Sequence, residues 1–309
     1  MKRSSLFALL LAVLLIFSTV LSLAACGTTP AGTDDNGGSN NNNNNNNNGT
    51  SSADGKINVK FFKVGKANAT LIRTPDGNIL IDCGEEEDED GNGKQDDGEK
   101  ILEYLAGKGV TTIDLLVVSQ FNKNHYGSVP TILEGVTVKK VIEPAYTKDG
   151  NTYTAYREAL TKANLTPEVI SAEKTITLGD SSLTFYPATT PSSTANADEY
   201  NSLAVAFEYG DFGVLVASDI FGSRTTALIE SLGGKTFDIL QVPYHGTFND
   251  TVDDLLDAVK PDYAVIFASA NNPEDVRTVN LLTARNIAYY VTKNGAVEAK
   301  FQGTLTVKQ

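Results

Sequence analysis

The sequence predicts an α/β fold in which two sheets carry helices on their outer sides. Three features lead there: apolar runs of strand length recur along the body, hairpin signals join the earlier ones, and amphipathic stretches of helical period separate the later ones. Ile57–Val64, Ala67–Arg73 and Ile79–Cys83 read as strands of a meander, the last two joined by the turn Thr74-Pro75-Asp76-Gly77-Asn78. Glu99–Lys108 reads as a helix stopped by Gly109, Leu115–Val118 as a buried strand, and residues near Asn151–Ala163 as a helix. Strands at Ser202–Tyr209, Gly213–Ala217, Phe237–Val242, Tyr263–Ala268 and Ile287–Val291 then alternate with helices near Ser223–Leu232, Thr251–Val259 and Glu274–Arg285. A last pair of strands runs to Val307.

Ahead of this body, Lys2 and Arg3 precede an unbroken apolar run from Leu6 to Phe17, followed by the small residues Ala24 and Ala25. That is the pattern of an export signal, and the run is shorter than the roughly 20 residues a spanning helix needs. Leu23-Ala24-Ala25-Cys26 resembles the lipobox of bacterial lipoproteins. The resemblance implies removal of residues 1–25, acylation of Cys26, and an extracytoplasmic protein held to the membrane by lipid. Residues 26–54, including the Asn tract from Asn40 to Asn48, have almost nothing apolar to bury and read as a disordered tether. Residues 55–309 suffice for one domain with a large core.

Cys83, the other cysteine, falls in an apolar strand, so no disulfide framework is expected and stability must come from the core. The formal net charge is −13 and no basic cluster appears, which argues against tight electrostatic binding to nucleic acid or anionic lipid head groups.

Three segments carry a more specific signal: Phe61-Phe62-Lys63-Val64-Gly65-Lys66-Ala67-Asn68-Ala69, Leu80-Ile81-Asp82-Cys83-Gly84, and the run from Ile113 to Ser128 that contains Ser119-Gln120-Phe121-Asn122-Lys123-Asn124-His125. With Asn201-Ser202-Leu203, Ala217-Ser218-Asp219 and Val242-Pro243-Tyr244-His245-Gly246-Thr247, they stand in the order seen in ComEC-type competence proteins, whose metallo-β-lactamase-like domain this chain resembles. The resemblance spans about Ile57 to Gly303. It implies a four-layer αββα sandwich and a metal-dependent hydrolytic site at the loop ends of the two sheets. Nucleic acid as a ligand enters by this analogy alone.

The departures from the family pattern bear on function. Family members that keep the motif have Thr/Ser-His-x-Asp-x-Asp-His, so Gln120, Asn122 and Asn124 put amides where one imidazole and two carboxylates are expected. Tyr244 replaces the first of two adjacent histidines, and the whole chain holds only His125 and His245. Two metals cannot be fully ligated by what remains, because adjacent cations need anionic ligands and amide oxygens are poor zinc ligands. His125, Asp219 and His245 are the residual candidates, either as remnants in a polar cleft or as a single site for zinc, manganese or iron. Asp82 is expected as a buried hydrogen-bond acceptor that holds loops. The favoured expectation is a non-catalytic or weakly active binding or accessory protein of the envelope; a metal-dependent phosphodiesterase or nuclease-like hydrolase is the alternative.

A second metal signal lies within 85–99. Asp88, Asp90, Asn92, Lys94 through its carbonyl, Asp96 and Glu99 match the ligand positions of a twelve-residue calcium loop, with Gly93 at the sharp turn. A structural calcium ion is therefore expected. Tyr146, Tyr153 and Tyr156 are expected to serve packing, and no nucleophile elbow surrounds Ser119 or Ser128.

Overall fold

The computed structural model describes residues 56–86, 96–189 and 197–309. The signal segment, Cys26, the tether, and Asp88, Asp90, Asn92 and Lys94 of the acidic loop lie outside the described residues.

The chain runs β1 (Ile57–Phe61), β2 (Thr70–Thr74), β3 (Gly77–Ile81), α1 (Asp97–Gly107), β4 (Thr112–Ile113), β5 (Leu115–Val117), α2 (Lys123–Tyr126), α3 (Val129–Gly135), β6 (Thr137–Val138) and β7 (Val141–Pro144). It continues through α4 (Asn151–Lys162), β8 (Glu168–Ile170), β9 (Lys174–Leu178), β10 (Ser181–Tyr186), α5 (Ala197–Asn201), β11 (Ala204–Tyr209) and β12 (Phe212–Val216). The last stretch is α6 (Ser223–Leu232), β13 (Ile239–Gln241), α7 (Asp250–Val259), β14 (Tyr263–Ile266), α8 (Val276–Ala284), β15 (Ala288–Val291), β16 (Val297–Phe301) and β17 (Leu305–Lys308).

One sheet has the order β17-β16-β1-β2-β3-β5-β7-β8, the other β15-β14-β13-β12-β11-β10-β9. The expected meander is present as antiparallel β1, β2 and β3, and Thr74 Oγ1 accepts the Asp76 and Gly77 amides in its turn. On the β3 side of it the pairing becomes parallel as β5 joins β3, and in the other sheet antiparallel β9–β12 gives way to parallel pairing where β13 joins β12.

Alternation along single strands separates the layers. Val214 and Val216 of β12 and Val265 of β14 join the apolar mass that contains β1–β3, whereas Leu215, Ala264 and Ile266 face a second cluster with Leu228, Leu255 and Leu282 of α6, α7 and α8. Rings close the first interface, Phe61 against Phe267 at 6.1 Å and Phe212 stacked on Phe301 at 4.8 Å. Ile101, Ile132 and Leu160 of α1, α3 and α4 pack into the same apolar mass as the strands of the first sheet. The outcome is helices, sheet, sheet, helices, as the resemblance implies.

Several elements were not expected. Helices α2 and α3 are too short to display a period, and β9 is a five-residue edge strand whose alternation brings only the partly buried Ile176 and Leu178 to the core. Helix α1 begins two residues earlier than its apolar pattern suggests, because Asp96 caps it by accepting the Glu99 amide at 2.7 Å.

Next to this cap Asp97 is 1% exposed, and its carboxyl accepts the Glu85 amide at 3.0 Å. Burial dominates the Lys100 ammonium and that hydrogen bond, and pushes the carboxyl up to about 7. The folded protein therefore binds this proton more tightly than the unfolded chain does. Its stabilising effect is complete below pH about 4 and is lost as pH rises to about 7. Asp97→Asn, which keeps an acceptor oxygen, should match the parent's melting temperature at pH 4 and exceed it by several degrees at pH 8. A difference between the two proteins that stays constant across that range would refute the assignment.

Candidate functional site

The polar centre forms where strands of both sheets end. Asp82 follows β3, Ser119 and Gln120 follow β5, Ser218 and Asp219 follow β12, and His245 lies in a short turn after β13. Loops beyond the carboxyl ends of adjacent parallel strands converge on one edge, which is where open α/β sheets place their ligands. His125 reaches the same point from α2.

Asp82 is 1% exposed, and both of its oxygens are used. Oδ1 accepts the Ser119 amide at 2.8 Å, and Oδ2 accepts the Ser119 hydroxyl at 2.6 Å and His125 Nδ1 at 2.7 Å. This fixes the imidazole so that Nε2 points at the cleft, 3.0 Å from Asp219 Oδ2. His245 brings its own Nε2 to 3.2 Å from the same oxygen. A run of hydroxyls carries the connection from one sheet to the other: Ser202 Oγ donates to Ser218 Oγ at 2.9 Å, which lies 2.6 Å from Ser119 Oγ.

The residues that depart from the family pattern separate into three groups. Gln120 and Asn124 enter the cleft, with Gln120 Nε2 at 2.6 Å from His125 Nε2 and Asn124 Nδ2 at 3.1 Å from His245 Nε2. Asn122 is half-buried at the start of α2 and makes no side-chain capping bond there. Tyr244 packs edge-on against Phe221 at 5.2 Å, with its ring 6.5 Å from that of His245.

Backbone strain collects at the same place. Among the described residues seven non-glycine positions have positive φ, and Asp82, Ser218, Tyr244 and His245 are four of them. Each such residue costs energy that surrounding contacts must offset, and such positions cluster at functional sites. The Tyr244 amide is held by the Ser218 carbonyl at 3.1 Å, and the Ser218 amide by Gln241 Oε1 at 2.7 Å.

Burial opposes charging of His125, but Asp219 and Asp82 outweigh it and push the imidazole up to about 10. Asp219 is the reciprocal case: burial alone would raise its carboxyl, and His245 and His125 hold it well below the carboxylate range. A proton on His125 stands where a cation would stand, since ligation requires the neutral imidazole.

The donor set fits one ion. The ligand atoms of His125, Asp219 and His245 lie within 4.8 Å of one another, and Asp82 supplies the carboxylate behind a ligating histidine that metal sites use to orient it. Among the described residues Asp219 Oδ1, Gln120 Oε1, Asn124 Oδ1 and His245 Nδ1 are buried without a hydrogen-bond partner, so the cluster has unmet polar demand. It does not fit two ions, because no further histidine or carboxylate joins this cluster among the described residues.

Sequence reasoning did not find the serine ladder, since serine is too common to signal it, nor the support of the motif loop. Phe121 sits among the rings of Tyr126, Tyr146, Tyr153 and Tyr156 at 4.9–5.9 Å, and its amide donates to Tyr146 Oη at 2.5 Å. The tyrosines thus pack beneath the loop that carries Gln120.

Comparison with known proteins agrees with this geometry. The chain is 23% identical over 277 residues to ComE operon protein 3 of Bacillus subtilis, covering 83% of this chain and 34% of that protein. It is 25% identical over 254 residues to Recombination protein 2 of Haemophilus influenzae, covering 80% and 29%. It therefore spans about a third of the length of these relatives. The fold is shared with the metallo-beta-lactamase fold protein YhfI of Bacillus subtilis, at a TM-score of 0.51 and 12% identity over 81% of this chain and 100% of that one. The model of the metallo-beta-lactamase superfamily matches residues 63–270, which contain every strand end that builds the cleft, and the chain belongs to that superfamily.

Proposed function

We propose that this chain is an accessory or binding protein of the cell envelope, lipid-anchored through Cys26, whose cleft does not perform two-metal hydrolysis and holds at most one transition-metal ion on His125, Asp219 and His245. One observation carries the reading: the residual ligands form a closed net. Gln120 and His125 are 0% exposed, Asp219 2% and His245 5%, both imidazoles converge on a single carboxylate oxygen, and the amides of Gln120 and Asn124 stand against them. Two-metal hydrolysis of a phosphodiester holds the attacking oxygen on one ion and the leaving oxygen on the other. A buried net with ligands for one ion supports at most one of these roles.

Superfamily membership and the strained residues around the ligands support a second reading, hydrolysis by a mononuclear site of zinc or manganese. The names of the relatives add only an analogy to recombination. Direct nucleic-acid binding is opposed by the net charge of −13.

Residues 88–99 are proposed to hold a structural calcium ion on Asp88, Asp90, Asn92, Lys94, Asp96 and Glu99. The cap that Asp96 forms fixes one of these carboxylates at the loop exit, where Thr131 Oγ1 also donates to it at 3.2 Å. The lipid anchor rests on the lipobox resemblance. Among the described residues no helix is long and apolar enough to cross a membrane.

Protein stripped of trace metal and refilled with Zn²⁺ or Mn²⁺ should cleave single-stranded DNA, double-stranded DNA and bis(p-nitrophenyl) phosphate no faster than buffer. Metal-dependent turnover that disappears in His125→Ala would install the hydrolase reading instead. Mass spectrometry of the membrane fraction should find a diacylglyceryl mass on an N-terminal Cys26, and a free thiol on an unprocessed chain would remove the anchor. Millimolar Ca²⁺ should raise the melting temperature by a few degrees, and Asp88→Ala should abolish the rise. A curve indifferent to Ca²⁺ and to chelator would dispose of the calcium site.

A further inference from the structure

Gln120 forms one wall of the cleft. As oriented, its amide places Nε2 2.6 Å from His125 Nε2 and 2.9 Å from Asp219 Oδ2, while Oε1 is buried with no hydrogen-bond partner. Its two neighbours are the atoms that would grip an ion. His125 Nε2 already faces a carboxylate oxygen of Asp219 at 3.0 Å. The N–H suits the Asp219 carboxylate but not a proton-bearing or metal-bearing His125 nitrogen, and with an ion seated between these groups the oxygen is the end that suits both. Half a turn about the last side-chain bond exchanges the two ends with almost no change of shape.

Asn124 differs in one respect. Its Nδ2 also donates to the Lys66 carbonyl at 3.2 Å, which secures nitrogen on the cleft side. Among the described residues the Gln120 amide has no such second anchor, its side-chain partners being His125 and Asp219.

The separations suit a single coordination polyhedron. Gln120 to His125 is 2.6 Å, Gln120 to Asp219 2.9 Å, His125 to Asp219 3.0 Å and His245 to Asp219 3.2 Å. Neighbouring donors held about 2.1 Å from one ion stand roughly 3.0–3.4 Å apart, so these four separations lie in or within a few tenths of an ångström of that range.

We infer that Gln120 turns its carbonyl oxygen into the cleft and serves as the fourth protein ligand of one ion, completing a set of two imidazoles, one carboxylate and one amide. This rests on the one-ion reading above. A neutral, hard oxygen contributes little to zinc and more, in relative terms, to manganese or ferrous iron. The residue that breaks the family's pattern thereby weakens the preference for zinc while keeping a complete coordination shell.

The test uses the purified full chain with each metal alone. Wild-type protein should bind one equivalent of Mn²⁺ and of Co²⁺ by equilibrium dialysis. Gln120→Ala should weaken Mn²⁺ about tenfold or more, weaken Zn²⁺ less, and change the visible Co²⁺ bands, which follow ligand number and geometry. The isosteric Gln120→Glu, which offers oxygen at either end, should tighten Mn²⁺ and retain the wild-type fold by circular dichroism. If Gln120→Ala leaves the Co²⁺ spectrum and Mn²⁺ affinity unchanged, or tightens binding, Gln120 is a hydrogen-bonded plug and the inference fails while the one-ion site stands. If wild-type protein takes up no equivalent of any of these metals, the one-ion site falls with it.

Discussion

A single buried carboxylate organises this molecule's functional edge. Asp82 leaves β3 in a left-handed conformation, and its two oxygens accept three hydrogen bonds from Ser119 and His125. An ionised group removed from water is tolerable only when it is fully satisfied, so the loops after β3 and β5 and the short helix α2 must adopt mutually consistent positions. Ser119 then passes the constraint to Ser218 and Ser202 of the second sheet. The apolar interface between the sheets supplies the stability, but this polar chain sets which strand ends face one another. Loss of the Asp82 carboxylate would leave a buried imidazole and a buried hydroxyl without their acceptor, a larger penalty than the bonds themselves are worth.

Much of the fold was legible before the structure. The meander, the helix near Ser223–Leu232 and the alternation that follows it appear close to where periodicity puts them, because those elements bury one face and expose the other. Elements without that contrast were hidden. Strand β7 lies among fully buried residues, α2 is a single turn, and β9 shows solvent most of its length. The site was legible differently. With only two histidines in the chain, His125 and His245 had to be the imidazoles of any residual centre, and Asp219 stands out at a strand end. Nothing in the sequence distinguishes Gln120, which enters the cleft, from Asn122, which stands at the helix start. That distinction belongs to the geometry of the turn between β5 and α2.

The substitutions toward amides have a common physical meaning. Asn122 and Asn124 keep nearly the size of the carboxylates expected there, discard the charge and put an NH₂ donor in place of one acceptor oxygen, and Gln120 likewise offers an uncharged amide where an imidazole is expected. The loop can therefore retain its conformation, with Phe121 still clasped by four tyrosines, while the electrostatics of the cleft change completely. Conformation and charge are separable here because the packing that holds the loop lies on Phe121 and the chemistry lies on its neighbours.

Charge counting shows how far the change goes. Within hydrogen-bond reach of the two imidazoles the carboxylates are Asp82 and Asp219, a charge of about −2 in a volume sealed from solvent. One divalent ion brings that volume to neutrality once the proton on His125 has left. Two would leave it near +2, and a bridging hydroxide would remove only half of the excess. Uncompensated charge in a buried site costs several kcal/mol per unit even after relaxation, and neutral amides do nothing to offset it. With asparagines at positions 122 and 124, the carboxylates that remain around the two imidazoles suit one divalent ion better than two.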